Sequence, residues 1–259
     1  MDKLVETARE KFWWPDAYQR DQFVRTEAAK LPPGSRVLDA GAGASKYRPL
    51  FAHCQYESQD FCQYQRPLVK YTRPIDHVCE ITRIPLPDQS IDAILCTEVF
   101  EHVPQPMEVL GEFARLLKPG GKLLLTTPLG CWLHMEPYHY YGGYTPYWFE
   151  HWLPKYGLRM ESIIPQGGPG RVATVALDRF YSQLRDREAR SGFLARLGSR
   201  VLRLFLKIPT HYLMPRLAAR FDPELDGHRV ASGYLVVATR IASTDPAELK
   251  SRANWNTAS

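Results

Sequence analysis

No apolar run in these 259 residues reaches the roughly 20 positions that a membrane-spanning helix needs. The opening stretch, MDKLVETAREKFWW, has no apolar core of the kind a signal peptide carries. Cysteine is sparse: Cys54, Cys62, Cys79, Cys96 and Cys131 form an odd, scattered set without CxxC spacing. That argues against a disulfide framework and leads to the expectation of a reduced, cytoplasmic compartment. Internal repeats and low-complexity tracts are also missing, which excludes a solenoid. A basic surface of general extent is missing too. The net charge is +5, yet ten Lys/Arg against two Asp/Glu lie between Arg179 and Arg220, so the remainder is net acidic. Charge confined to one segment is not the coat that a nucleic acid requires, and no nucleic-acid partner is expected.

What is present is a chain 44% hydrophobic and 12% aromatic, enough for a sizeable core and for aromatic ligand walls. Residues 16–30 read as a helix with Tyr18, Phe23, Val24 and Ala28 inward. LPPGS then breaks the chain before a strand, SRVLDA. A helix is expected to begin within 45–52, a second strand at QYESQD and a third extended piece at IDHVCE. IDAILCTEV is an unbroken apolar run of strand length, as a strand covered on both faces requires. MEVLGEFARLL is amphipathic with Val109, Leu110, Phe113, Leu116 and Leu117 inward. KPGG is expected to stop it before the strand GKLLLTTP. A helix in TPYWFEHWLPKYG, a strand at LRMESIIP, a basic helical region and a last strand GYLVVATRI complete the chain. Strands alternating with helices predict an α/β, doubly wound sheet. Residues 15–165 are expected to form the core, 166–227 a helical cap or membrane-facing insertion, and 228–242 the final core strand. Residues 1–14 and 245–259 read as tails.

VLDAGAGASKY is a buried strand ending in a tight turn, where glycine lets a backbone approach a ligand closely. Lys46 stands where a dinucleotide fingerprint wants its third glycine, which disfavours a nicotinamide oxidoreductase. GxxxxGK[ST] is absent as well. Asp60 follows Asp39 by 21 positions, at a second strand end where a carboxylate can accept both ribose hydroxyls. Such an acidic lining suits a positively charged nucleoside better than a diphosphate.

VLDAGAGASKYRPLF, Asp60, CEITRIPLPDQSIDAILCTEVFEHV and LKPGGKLLLTTP, in this order and spacing, resemble the class I S-adenosylmethionine-dependent methyltransferases, closest to the type-11 domain group. The resemblance covers residues 34–130 and continues more loosely to the last strand. It implies a Rossmann-like seven-stranded class I methyltransferase sheet with the final strand antiparallel, and S-adenosyl-L-methionine at the strands' carboxyl ends. By position, Asp39, Gly41 and Gly43 would contact the methionine portion and Asp60 the ribose. Glu80 and Ile81 would frame the adenine, and Thr97 and Glu98 would lie below the sulfonium.

Two segments offer chemistry to a methyl acceptor. Glu98, Glu101 and His102 have the i, i+3, i+4 spacing of one helical face. His134, Glu136 and His139 belong to a loop expected to overhang the site. The resemblance opens two readings: His102 or His139 as a metal-free general base, or a divalent metal held by the Glu98–His102 segment with His139 completing the set. The second is the less favoured. Tyr140, Tyr141 and Tyr144 are lid candidates, whereas Phe149, Trp152 and Leu153 read as core. Phe12, Trp13 and Trp14 could fold over the cofactor or simply pack.

FLARLGSRVLRLFLKI carries Arg196, Arg200, Arg203 and Lys207 on one face and Leu197, Val201, Leu204, Phe205 and Ile208 on the other. The favoured reading is a cap helix whose apolar face covers the domain; the alternative is peripheral contact with an anionic membrane. The expected function is methyl transfer to a small molecule, saccharide or lipid-linked acceptor, with oxygen as the acceptor atom. A non-catalytic S-adenosylmethionine-binding scaffold is the competing reading.

Overall fold

A computed structural model describes residues 15–64, 71, 73–190, 192–222 and 229–242. Phe12, Trp13 and Trp14 lie outside the described residues, as do both expected tails. Within the described residues the chain divides into two compact units. One comprises 20–164 with 233–242, and the other 15–19 with 165–222 and 229–232.

The first unit is built on a seven-stranded sheet in the order β3-β2-β1-β4-β5-β7-β6. Its strands are β1 (Arg36–Ala40), β2 (Gln55–Asp60), β3 (His77–Val78), β4 (Ile91–Thr97), β5 (Leu117–Pro128), β6 (Leu158–Gln166) and β7 (Gly233–Arg240). β1 pairs in parallel with β2 and β4, and β4 with β5, while β7 runs antiparallel to β5. This is the α/β, seven-stranded sheet expected, with the late strand inserted in reverse. Val37, Leu38, Ile94, Leu95, Leu123 and Val236 are fully buried, as strands covered on both faces should be. Burying a side chain of this kind contributes about 1.5–3 kcal/mol each. Helix α1 (Pro15–Lys30) sets Phe23, Val24 and Ala28 into a cluster with Val37, Tyr56 and Leu95. Helix α2 (Pro106–Leu116) buries Val109, Leu110, Phe113 and Leu116.

Four local expectations differ from the structure. The helix expected within 45–52 is only a 3-10 turn, Arg48–Phe51, because Pro49 lacks an amide hydrogen and Ser45 takes φ +52°. The third strand shortens to two residues. KPGG does not separate α2 from the next strand but is taken into β5, with a register irregularity between Ile91 and Ala93 on the facing strand. Glu98, Glu101 and His102 do not share a regular helical face. Glu98 has φ +54° and only Phe100–His102 forms a 3-10 turn.

The second unit is helical: α4 (Pro169–Arg190), α5 (Phe193–Ile208), a π-turn at Pro209–Leu213, and α6 (Met214–Phe221). Asp222 accepts the amide hydrogens of Gly170 (2.7 Å) and Arg171 (2.8 Å), placing a carboxylate at the positive end of α4. Helix α3 (Pro146–Trp152) belongs to the first unit.

Candidate active site

The carboxyl ends of β1, β2 and β4 open onto a cavity of about 340 Å³. Gly41 and Gly43, with φ +74° and +52°, form its floor. A Cβ on Gly41 would lie 2.5 Å from Val99 Cγ2, so packing against Val99 already demands glycine there. The Gly41 amide donates to the Gln59 carbonyl at 2.9 Å, tying the turn to β2.

Asp60 is the best-determined carboxylate of the site. It accepts the amide hydrogen of Gly43 on Oδ2 (2.9 Å), and on Oδ1 the amide of Cys62 (2.9 Å) and the Tyr71 hydroxyl (3.0 Å). Glu80, Ile81 and Glu98 line the same cavity, and among the described residues no Lys or Arg lines it. Glu98 accepts from Thr126 Oγ1 at 2.8 Å and lies 3.5 Å from the Arg20 guanidinium. A non-glycine residue at positive φ, held by such partners, is the kind of strain that collects at functional sites.

Asp39 and Thr97 are outside the cavity lining. Asp39 is 2% exposed and accepts a short hydrogen bond from the Tyr56 hydroxyl. Burial, opposed by that bond and reinforced by the Asp60 charge, pushes its carboxyl up to about 7. It is the fourth residue of β1, two positions before Gly41.

The far wall of the cavity is imidazole and aromatic. His102 lines it, and its Nδ1 pairs with the Tyr138 carbonyl, which leaves Nε2 with the lone pair. Burial, together with the neighbouring His134 and His139, lowers its pKa to about 4. Glu101 Oε1 lies 3.7 Å from that Nε2. The Glu101 carboxyl is pushed up to about 8 by burial and by the Glu98 charge, and its Oε2 has no hydrogen-bond partner.

His134 joins His102 and His139, with ring centroids 4.8 Å and 4.7 Å away, while His102 and His139 are 5.7 Å apart. Ring nitrogens from all three lie within 4.8 Å of one another. His139 Nδ1 is buried without a hydrogen-bond partner, and burial lowers this side chain's pKa. The loop that carries these histidines is anchored by the Tyr140 amide, which donates to the Glu101 carbonyl at 2.8 Å. The sequence brought His134 into view as a loop residue, but no periodicity announces that its ring meets His102. Glu98 and Glu101 are not in this cluster, because Glu98 turns to Thr126 and Arg20 while the Glu101 side chain is 2% exposed.

Of the lid candidates, Tyr140 is 48% exposed and lines the cavity. Tyr144 is instead core: it is 2% exposed, donates to the Phe100 carbonyl, and packs against Phe100 and Trp148. Its neighbour in sequence, Gly143, has φ +146°, and a Cβ there would collide with the Leu129 backbone. Met135 and Tyr138, which the sequence did not single out, also line the cavity.

Residues 38–125 match a family model described as a methyltransferase domain. The chain is 29% identical over 198 residues to a ubiquinone biosynthesis O-methyltransferase from Xanthomonas axonopodis pv. citri, covering 63% of this chain and 81% of that one. It is 36% identical over 146 residues to the protein of the same description from Xanthomonas oryzae pv. oryzae, covering 49% of this chain. There it spans 59% of the relative's length. Among solved structures, one provisionally described as a sarcosine dimethylglycine methyltransferase from Galdieria sulphuraria matches with a TM-score of 0.54 at 15% identity. That match covers 86% of this chain and 85% of that one, and it speaks for the fold alone.

Proposed function

We propose, from the premise that residues 38–125 are a class I S-adenosylmethionine-dependent methyltransferase domain, that the protein methylates an oxygen of a hydroxylated small molecule. A saccharide or a lipid-linked intermediate falls within the same acceptor chemistry. One observation carries the reading: a single cavity has acidic residues and a glycine turn at the strand ends on one side and His102 on the other. The description of the Xanthomonas relatives as O-methyltransferases supports oxygen over nitrogen.

S-adenosylmethionine, when bound, supplies a methyl group already activated on a positively charged sulfur. The chain's task is to hold donor and acceptor in register, which can contribute roughly 7–11 kcal/mol to lowering the barrier. In this reading Asp60 accepts the ribose hydroxyls, Gly41 and Gly43 give the methionine portion access to the backbone, and Glu80 and Ile81 bound the adenine. Asp39 steadies the turn from within β1, Thr97 ends β4 just outside the lining, and Glu98 lines the sulfonium side. In this reading the carboxylates of the lining, Asp60, Glu80 and Glu98, favour a cation over a diphosphate.

His102 takes the acceptor's proton through Nε2, since Nδ1 is committed to Tyr138. The positive charge then formed lies 3.7 Å from Glu101, whose carboxyl it makes easier to ionise. His139 is the second candidate for this role, acting from the cluster rather than from the cavity lining.

A second reading is favoured by the three imidazoles themselves. His102, His134 and His139 are of the right type and closeness to hold a divalent cation, and the lowered pKa of His102 and His139 keeps both neutral, as ligands must be. A cation there would polarise the acceptor oxygen. The deciding experiment measures transfer of labelled methyl to a panel of phenols, catechols and sugars, with and without chelator. Turnover that survives the chelator supports His102 as a metal-free base. Turnover abolished by chelator and restored by one cation supports the second reading, and label found only on nitrogen would overturn the oxygen assignment.

A further inference from the structure

Helix α5 is turned opposite to what its composition suggests. Its buried strip is small or polar: Ser199 is 5% exposed, and Thr210, just beyond the helix, is 2% exposed. The Arg203 guanidinium lies over the Tyr181 ring of α4 at 5.1 Å, so even this cation is on the packed side. The apolar stripe faces outward, with Phe193 77%, Leu204 73%, Phe205 74% and Ile208 67% exposed. The exposed face continues through Leu213 and Phe221 onto α6. Large apolar side chains scattered singly over a surface need no explanation, but a contiguous stripe along two helices marks an interaction face.

Charge identifies the occupant. At about 100° per residue, Arg196, Arg200 and Lys207 fall along one edge of the apolar stripe, between it and the buried strip. Arg216 and Arg220 extend the exposed basic side chains onto α6. No Asp or Glu occurs from Phe193 to Phe221. An apolar stripe edged by cations at the level where the helix leaves its own domain matches the layers of an anionic bilayer. Acyl chains take the Phe and Leu side chains, and phosphate headgroups take the guanidinium and ammonium groups. A protein groove or a second copy of this chain would have to supply both an apolar trough and a row of acids, and α5 and α6 carry no acids for a self-complementary face.

We propose that α5, the π-turn and α6 form a peripheral membrane-binding face that lies in the headgroup region of an anionic phospholipid surface. The face stands independently of the methyl-transfer reading, because it rests on the helical unit alone.

Co-sedimentation of the full chain with vesicles tests it. Vesicles containing phosphatidylglycerol should bind the protein about tenfold or more tightly than vesicles of phosphatidylcholine alone, and added salt should weaken that binding. The double variant Leu204→Ser/Phe205→Ser alters exposed positions, so it should keep its melting temperature while losing about tenfold or more in vesicle affinity. The charge variant Arg200→Glu/Lys207→Glu should abolish the preference for the anionic vesicles. Equal binding to both vesicle types, or a Leu204→Ser/Phe205→Ser variant that binds as the parent does, would overturn the proposal. So would a parent that ignores vesicles but elutes as a dimer which the same variant converts to a monomer.

Discussion

Val99 stands where Gly41 would carry a side chain: its Cγ2 is 2.5 Å, and its Cγ1 2.8 Å, from the position of a Cβ there. The residue that follows Glu98 therefore closes over the glycine turn at the end of β1, and the two ends of the site are fitted to each other. Gly41→Ala adds this overlap to the strain of φ +74°, so a loss of about 2–4 kcal/mol in stability is expected. Denaturant unfolding should also show that adding Val99→Ala recovers part of that loss. A Gly41→Ala variant as stable as the parent would contradict the fit.

Asp60 gathers three donors from its own chain and still faces the cavity. Replacing it with alanine removes a carboxylate acceptor, and a hydrogen bond to a charged group is worth about 1.5–3 kcal/mol. Titration calorimetry should find S-adenosylhomocysteine bound at least tenfold more weakly by Asp60→Ala. An unchanged affinity would place the nucleoside elsewhere.

The raised pKa of Asp39, about 7 against an ordinary 3.8, makes a statement about stability. In the folded chain this carboxyl holds its proton to higher pH than in the unfolded chain. Its contribution is most favourable below pH 4 and is lost as pH rises through 7. Asp39→Asn keeps an acceptor for the Tyr56 hydroxyl and removes the titration. The variant's melting temperature relative to the parent should therefore rise between pH 5 and pH 8. A difference that does not vary with pH would show that Asp39 is not a buried, titrating carboxyl.

His102 should govern turnover and not donor affinity. General-base assistance is typically worth 10²–10⁴-fold, so His102→Ala should lower kcat by about that factor while S-adenosylhomocysteine affinity stays within about threefold. With its pKa lowered to about 4, the imidazole remains neutral down to mildly acid pH, so this group should not produce a fall in rate near pH 6.5. A parent-like kcat in His102→Ala would remove His102 from the chemistry.

Much of this is legible in the sequence. The apolar run at β4, the turn VLDAGAG and the last strand GYLVVATR announce a buried sheet with a ligand at its edge, because burial on both faces and tight turns leave strong marks on composition. Residues 45–52 form only a 3-10 turn, because Ser45 takes φ +52° and Pro49 has no amide hydrogen to give. The helical spacing of Glu98, Glu101 and His102 misled because the backbone at Glu98 leaves the right-handed region. Helix α5 holds the broader lesson. Amphipathic spacing reveals two faces but not which one packs, and here the small residues at Ser199 and Ala195 let the polar side approach α4 while the apolar side stays outside. His134 shows the same limit for a site, since only the folded loop brings it 4.8 Å from His102.

The account rests on an acid-lined cavity that receives an adenosyl group joined to an amino acid, without a diphosphate. Calorimetric titration of the purified protein with S-adenosylhomocysteine and, separately, with NADH tests this most directly. Saturable heat from S-adenosylhomocysteine, weakened in Asp60→Ala, with none from NADH, is the predicted result. Saturable binding of NADH with no response to S-adenosylhomocysteine would contradict it.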